Sequence, residues 1–293
     1  MKTIEKIAVH EGIFHADDVF AVAILKLIYP SAKIIRTRNE KILKKSDIRV
    51  DVGRNYDHEN GNFDHHQQGG AGERENKIPY ASAGLIWKHY GMKLVSSEEV
   101  WNNIDKKIIQ FIDAHDVGLK TFTSEKTEPY TISHLISGFN PPWPNISPKL
   151  FNTSFKEAVS FIQKLLKKEI EREEGVLDAV KIIREKIKET KEEYLVLDTY
   201  IPWKEIIVNE SNLKFIIYQD SLDKNWLGLA VPIEIGKFEN RKDFPKEWAG
   251  LADEELEKVS GVIGAKFCHN KLFIVVAKTK QGAINLVELA LKS

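Results

Sequence analysis

A single cysteine, Cys268, stands in the 293 residues of the chain. An internal disulfide framework and a cysteine-built zinc site are both excluded, and the lone thiol fits a reducing, cytoplasmic setting. An excess of either charge is also missing, since Lys+Arg and Asp+Glu both number 43. Nucleic acid could then be held only through a local basic patch. No apolar run approaches the length of a membrane span. The opening MKTIEKIAVHEG has Glu5 and no long apolar stretch, so it is not expected to act as a signal peptide. No His-Glu-x-x-His segment occurs, which removes the usual helical zinc-protease signature. No internal repeat is visible either.

What is present is a folded-protein composition, 42% hydrophobic and 29% charged, with enough length for two domains. Lys6 to Val9 predicts a strand, Asp18 to Ile28 an apolar helix, and Lys33 to Arg36 a second strand. Glu40 to Lys45 predicts a short helix and Ile48 to Val52 a third strand. Such alternation predicts an α/β fold, a parallel sheet with crossover helices. Ligands of these sheets bind beyond the carboxyl ends of the strands, where His10 and Asp51 fall.

Gln67 to Asn76 is a polar, glycine-rich loop. Helices are expected from Ala81 to Tyr90 and from Val100 to His115, the second delivering Asp113-Ala114-His115-Asp116. Asn140-Pro141-Pro142-Trp143-Pro144 reads as a rigid break. Phe151 to Glu193 predicts a long charged helical stretch, in two helices broken near Glu174-Gly175. From Tyr194 the segments YLVLD, LKFIIYQD, WLGLAVPIE and KLFIVVAK predict strands, and Gln281 to Leu291 a closing helix. The expected domains are 1–145 for catalysis, 146–193 as a helical connection, and 194–293 as a smaller α+β domain. The active site is expected in the cleft between the two domains.

His10, His15, Asp17, Asp51, His65, His66 and Asp116 are the candidate site residues. Each alone has an ordinary explanation. Asp17 or Asp18 could cap the first helix, and His115 and His134 could be packing or surface residues. Three strand-end segments that each carry an imidazole or carboxylate point instead to a two-metal hydrolytic centre. Mixed nitrogen and oxygen ligands suit manganese, iron or zinc. A bridging carboxylate would hold two cations that polarise a phosphoryl oxygen and activate water. Asp64, beside His65, is a candidate for orienting the imidazoles.

HEGIFHADD, VDVG, DHHQ and DAHDVG together resemble the four N-terminal motifs of the DHH phosphoesterase superfamily, and within it the Myg family. Ser82-Ala83-Gly84-Leu85, Asn140-Pro141-Pro142-Trp143, Pro202-Trp203-Lys204-Glu205 and Ala230-Val231-Pro232 extend the resemblance along the chain. It implies a metal-dependent 3'-to-5' exoribonuclease with RNA or an oligonucleotide as substrate. By the resemblance, His10 and His15 would ligate the first metal with Asp51. Asp17, His65 and Asp116 would ligate the second, with Asp51 bridging and Asp113 as an alternative to Asp116. His66 would face the phosphate, as ligand or proton donor. Manganese is the implied ion, with magnesium, zinc or iron as alternatives.

The superfamily's C-terminal domain holds the rest of the substrate, so Arg241 and Lys242 become candidates for a phosphate clamp, or else a solvated basic pair. Trp248 would stack a base or fill the core. Phe267-Cys268-His269 resembles a family Phe-Val-His segment and adds His269 as a substrate contact. Lys271 to Val276 departs from the pattern, lacking two glycines that would let backbone approach a phosphate. Two other functions stay open: a phosphohydrolase for a cyclic dinucleotide, nucleotide or pyrophosphate, and a non-catalytic, metal-stabilised RNA-binding protein. No membrane partner is expected, and a homodimer is one open oligomeric state.

Overall fold

Short apolar strands and a helix with an unbroken apolar run from Val19 to Leu25 build the first half of the chain. The computed structural model describes residues 3–120, 126–127 and 129–293. In chain order come β1 (Lys6–Val9), α1 (Ala16–Ile28), β2 (Lys33–Arg36), α2 (Glu40–Leu43), β3 (Ile48–Val50), β4 (Tyr56–Asp57) and β5 (Asn62–Phe63). They are followed by α3 (Ser82–Tyr90), α4 (Glu98–Ile104), α5 (Gln110–Asp116), α6 (Ile132–Ser137) and α7 (Pro148–Glu189). The strands form a sheet in the order β2-β1-β3-β5-β4, parallel except for the β4–β5 pair. The strand β1, inside the sheet between β2 and β3, buries Ile7, Ala8 and Val9 completely. Every residue of α1 from Ala16 to Leu25 is buried, including Asp17 and Asp18 in its first turn. The helix packs against α3.

Chain order runs β1, β2, β3, whereas spatial order is β2-β1-β3. The connections therefore reverse direction between β1 and β3, and such a switch point opens a crevice at the carboxyl ends of the strands. His10 and Asp51 leave β1 and β3 side by side there, and Asp64 follows β5 at the same edge.

The expected helix from Val100 to His115 is interrupted by a π-helical segment, Asp105–Ile109, between α4 and α5. In a regular α-helix, residues 105 and 113 would sit about 80° apart around the axis. The wider turn brings both carboxylates to one buried guanidinium. Arg74 donates to Asp105 Oδ1 at 2.9 Å and to Asp113 Oδ2 at 2.7 Å. Gly84 donates its N–H to Asp113 Oδ1 at 2.9 Å.

The expected break near Glu174-Gly175 does not occur: α7 runs unbroken for 42 residues. One glycine costs a helix about 1 kcal/mol. The apolar stripe of Phe155, Ile162, Leu166 and Ile170, continued by Ala179 and Ile183, is buried and outweighs it. The start is Pro148, whose missing N–H costs nothing at a first helical position.

Contacts divide the chain into Met1–Glu174 and Gly175–Ser293. The second unit contains β6 (Tyr194–Val196), α8 (Lys204–Glu210), β7 (Phe215–Gln219), β8 (Trp226–Ala230), α9 (Asp253–Ser260), β9 (Ala265–Cys268), β10 (Ile274–Ala277) and α10 (Lys280–Lys292). Its sheet order is β6-β7-β8-β10-β9, with only β6–β7 parallel. Strand alternation sends Phe215 and Ile217 into one core and Ile216 into another. Among the described residues no helix is long and apolar enough to cross a membrane.

Two glycines make opposite predictions. A Cβ on Gly84 would lie 1.8 Å from Asp113 Oδ2 and 2.8 Å from an Arg74 nitrogen. Displacing that buried pair outweighs the helix propensity gained, so Gly84→Ala should lose about 2–4 kcal/mol. Gly175, inside α7, has nothing within 4 Å of its Cβ position, and Gly175→Ala should gain about 0.5–1 kcal/mol. Denaturant midpoints should move in opposite directions, and two shifts of the same sign would refute the packing account.

Candidate metal centre

Short sequence segments put several ligand-type side chains at one edge of the first sheet. His10 comes from the end of β1, Asp51 from the end of β3, and Asp64-His65-His66 from the end of β5. Asp17 and Asp18 open α1, where the positive helix end favours carboxylates. Asp116 ends α5. Asp51 has a left-handed backbone, φ 52°, a conformation unfavourable for most side chains but more accessible to aspartate. Strain of this kind is held where surrounding structure fixes it, commonly at functional sites.

Asp51 is the centre of the cluster. Its Oδ2 lies 3.3 Å from His10 Nε2, and Asp18 Oδ2 lies 2.9 Å from the same nitrogen. Its Oδ1 lies 3.5 Å from His65 Nε2 and 3.2 Å from His66 Nδ1. His65 Nε2 also approaches Asp116 Oδ2 at 3.1 Å and Asp17 Oδ2 at 3.9 Å. Three groups could hold a metal ion, His10-Asp18-Asp51, Asp17-His65-Asp116 and Asp51-His65-His66, with ligand atoms within 4.8 Å in each. Asp18 Oδ2 and His65 Nε2 are buried without a hydrogen-bond partner among the described residues, despite these close contacts. Buried polar atoms need a partner, and a cation between these lone pairs would supply one. The donor set fits a divalent metal on that ground.

The outer contacts are fixed too. Asp17 accepts the N–H groups of Ser82 at 3.0 Å and Ala83 at 2.6 Å, tying α1 to the start of α3. Asp64 Oδ1 accepts from the His66 backbone at 3.0 Å and lies 2.8 Å from His66 Nδ1. Asp64 therefore orients His66, not its sequence neighbour His65. Arg36 on β2 donates to His10 O at 3.2 Å and Gly12 O at 2.7 Å. Asn140, from the Asn-Pro-Pro-Trp motif, bonds both the N–H and the carbonyl of Phe14 at 3.1 and 2.9 Å. These two residues clamp the loop from His10 to His15.

Not every candidate joins the cluster. His15 is exposed and lies outside the three groups, but with His10, Asp17, Asp51 and His66 it lines a cavity of about 1200 Å3. Asp113 gives its oxygens to Arg74 and Gly84, whereas Asp116 faces His65. In the second unit, Arg241 donates to the carbonyls of Val208, Ser211 and Leu213 at 2.7–2.9 Å, closing the end of α8. Lys242 is half-buried. Trp248 is core. His269 Nδ1 accepts the Lys271 N–H at 3.0 Å, and its ring lies 4.5 Å from that of Phe273. Sequence reasoning gave Asp18 only a capping role. The signal was the wholly apolar run after it, which leaves α1 no solvent face for a carboxylate.

Burial opposes charge on His10, but contact with Asp18 and Asp51 outweighs it and raises the pKa to about 10. Burial likewise opposes charge on His65, and Asp116 and Asp51 raise it to about 11. Burial works against the Asp51 carboxylate, yet the three imidazoles hold it well below the usual range. Burial, with the charges of Asp116 and Asp51, pushes Asp17 well above it. Both histidine values exceed the ordinary 6.5, so the stability these contacts lend without an ion is complete below 6.5 and lost as pH rises through about 10 and 11. An ion must displace those protons, since only neutral imidazole is a ligand. Apparent affinity should therefore tighten about tenfold per pH unit for each proton released between pH 6 and 8. Calorimetry in buffers of different ionisation enthalpy would count the protons, and a pH-independent affinity would remove both histidines from the ligand set.

The sequence matches the MYG1 exonuclease family, described as an uncharacterised protein family (UPF0160), over residues 6–291. It is 33% identical over 328 aligned positions to the MYG1 protein YER156C of Saccharomyces cerevisiae, covering 99% of this chain and 96% of that one. The MYG1 protein of Dictyostelium discoideum is 31% identical over 312 positions, covering 95% and 94%. The MYG1 exonuclease of Homo sapiens is 30% identical over 323 positions, covering 98% and 85%. The match runs through the segments that carry His10, Asp51, His65 and Asp116 and on into the second unit, and the chain belongs to the MYG1 exonuclease family.

Proposed function

We propose that this chain is a divalent-metal-dependent phosphodiesterase of the DHH type that shortens RNA or short oligonucleotides from the 3' end. One observation carries the reading: the two oxygens of Asp51 face different histidine and carboxylate groups, His10 with Asp18 and His65 with Asp116. That is the placement a bridging carboxylate needs. The nuclease class is supported by relatives from human and rat that are named exonucleases.

His10, Asp18 and Asp51 would hold one ion, with His15 available from the cavity wall. Asp17, His65 and Asp116 would hold the other, with Asp51 shared. Manganese suits this mixture of imidazole and carboxylate, with magnesium, zinc or iron as alternatives. Two such cations supply an activated water and neutralise charge on the phosphoryl oxygens. His66 has a separate task. Its Nδ1 is turned to Asp64 and Asp51, and the ring is about half exposed to the cavity. Contact with Asp51, opposed by burial and aided by Asp64, raises its pKa. Nε2–H is then the proton source for the departing 3' oxygen.

Hydrolysis should be tested on a 5'-labelled RNA ladder, a dinucleotide, a cyclic dinucleotide and pyrophosphate, with and without Mn2+. Stepwise shortening from the 3' end is expected. Asp51→Asn should reduce it by more than about 100-fold, beyond the 10–100-fold typical of changes outside the ligand shell. Activity confined to pyrophosphate or the cyclic dinucleotide would move the function to a small-substrate phosphohydrolase, and none at all would favour metal-stabilised RNA binding.

The two aspartates of the DAHD segment should separate by readout. Asp116→Asn should weaken Mn2+ binding with little change in melting temperature. Asp113→Asn should lower stability by about 3 kcal/mol, because it breaks a buried ion pair, and leave the count of bound Mn2+ unchanged. The reverse outcome would exchange their roles.

A further inference from the structure

The cavity beside the metal centre holds cations that the proposed chemistry does not use. Arg38 follows β2 and Arg54 follows β3, and both line that cavity. Because the strand order is β2-β1-β3, they flank the strand that delivers His10. Both side chains are exposed, and among the described residues neither guanidinium is paired with a carboxylate or carbonyl. Arg54 is also held in place: its N–H donates to Asp64 Oδ2 at 2.6 Å, on the carboxylate whose other oxygen orients His66. A third group points the same way. Ser133, in α6, lines the cavity and is 8% exposed, yet its Oγ has no hydrogen-bond partner among the described residues. A buried hydroxyl without a partner calls for an explanation.

We propose that Arg38, Arg54 and Ser133 form a phosphate subsite that takes the phosphodiester next to the one at the metal centre. The inference rests on the phosphodiesterase reading and deepens it, since the substrate is then an oligonucleotide end and not a mononucleotide. Guanidinium groups match phosphate oxygens in planar, two-point geometry. A hydroxyl completes such a site as donor. Size agrees as well. Sites for single small ligands measure about 300–1000 Å3, and this cavity measures about 1200 Å3. Zero net charge is no obstacle, because the attraction is local to the cavity.

The test is binding of a 5'-fluorescein RNA trinucleotide to the full, Mn2+-loaded chain, followed by anisotropy. The terminal linkage is a methylenephosphonate, so hydrolysis does not interfere. A second trinucleotide carries an uncharged methylphosphonate at the next linkage. Arg38→Gln with Arg54→Gln should weaken binding of the first by about tenfold or more, as expected for lost charge-assisted contacts. Ser133→Ala should weaken it by about threefold. The salt slope should fall by about 0.7, one neutralised phosphate on a single strand. The uncharged trinucleotide should bind wild type and variants alike. Unchanged binding of the first trinucleotide by the variants, equal weakening of both, or no binding by wild type would each overturn the subsite. Failure of hydrolysis in the labelled-ladder assay would instead overturn the phosphodiesterase reading, while the anisotropy result still decides the subsite.

Discussion

Buried negative charge is the constraint on which the first unit depends. Asp17, Asp18, Asp51, Asp64, Asp105 and Asp113 are all buried, and an uncompensated carboxylate in an interior is strongly unfavourable. Each is met by a particular donor. Arg74 serves Asp105 and Asp113. Backbone N–H groups at the start of α3 serve Asp17, and those of Arg54 and His66 serve Asp64. Asp18 has one backbone donor, the His15 N–H at 2.9 Å, and Asp51 a long contact from Ser82 Oγ at 3.5 Å, so both rely chiefly on imidazoles. Protonated imidazoles compensate their charge without an ion, and divalent cations would do so in the protons' place. Protonation and the proposed metal binding are therefore two answers to the same electrostatic problem, and proton release would couple them.

The motifs act through position as much as through chemistry. Arg36 and Asn140 lie far apart in sequence and touch no ligand atom. They hold the His10–His15 loop by its backbone, with Phe14 fully buried between β1 and α1. Gly84 acts by omission, because its missing Cβ is the space that the Asp113 carboxylate occupies. A side-chain cluster built from three strand ends and two helix ends needs such supports, since a shift of about 1 Å in any of them would spoil the geometry.

Much of this was legible in the chain. The apolar runs at Lys6–Val9, Lys33–Arg36 and Ile48–Val50 give strands, and parallel topology then places His10 and Asp51 together. The convergence of His65, Asp17 and Asp116 follows the same logic. Other features were hidden for physical reasons. The two-residue strands β4 and β5 carry too little periodicity to be read. The continuity of α7 depends on a buried stripe whose partners are distant in sequence. Asp17 and Asp18 look alike in the chain, and only packing shows that both turn inward. The helix α9 and strand β9 lie in a region whose exposed residues blur the pattern.

Arginine shows most clearly what sequence cannot separate. Arg241 sits in a motif beside Lys242, and the pair reads as a phosphate clamp. In space its guanidinium faces three carbonyls at the end of α8, a demand created by helix geometry, because the last carbonyls of a helix have no internal partner. Arg38 and Arg54 sit in unremarkable loop sequence. In space they stand at the carboxyl edge of the sheet, and among the described residues no carbonyl or carboxylate pairs with their guanidinium groups. The same residue type serves structure when it meets unpaired backbone and is available for substrate when it does not. Which of the two applies is set by the neighbours that the fold supplies.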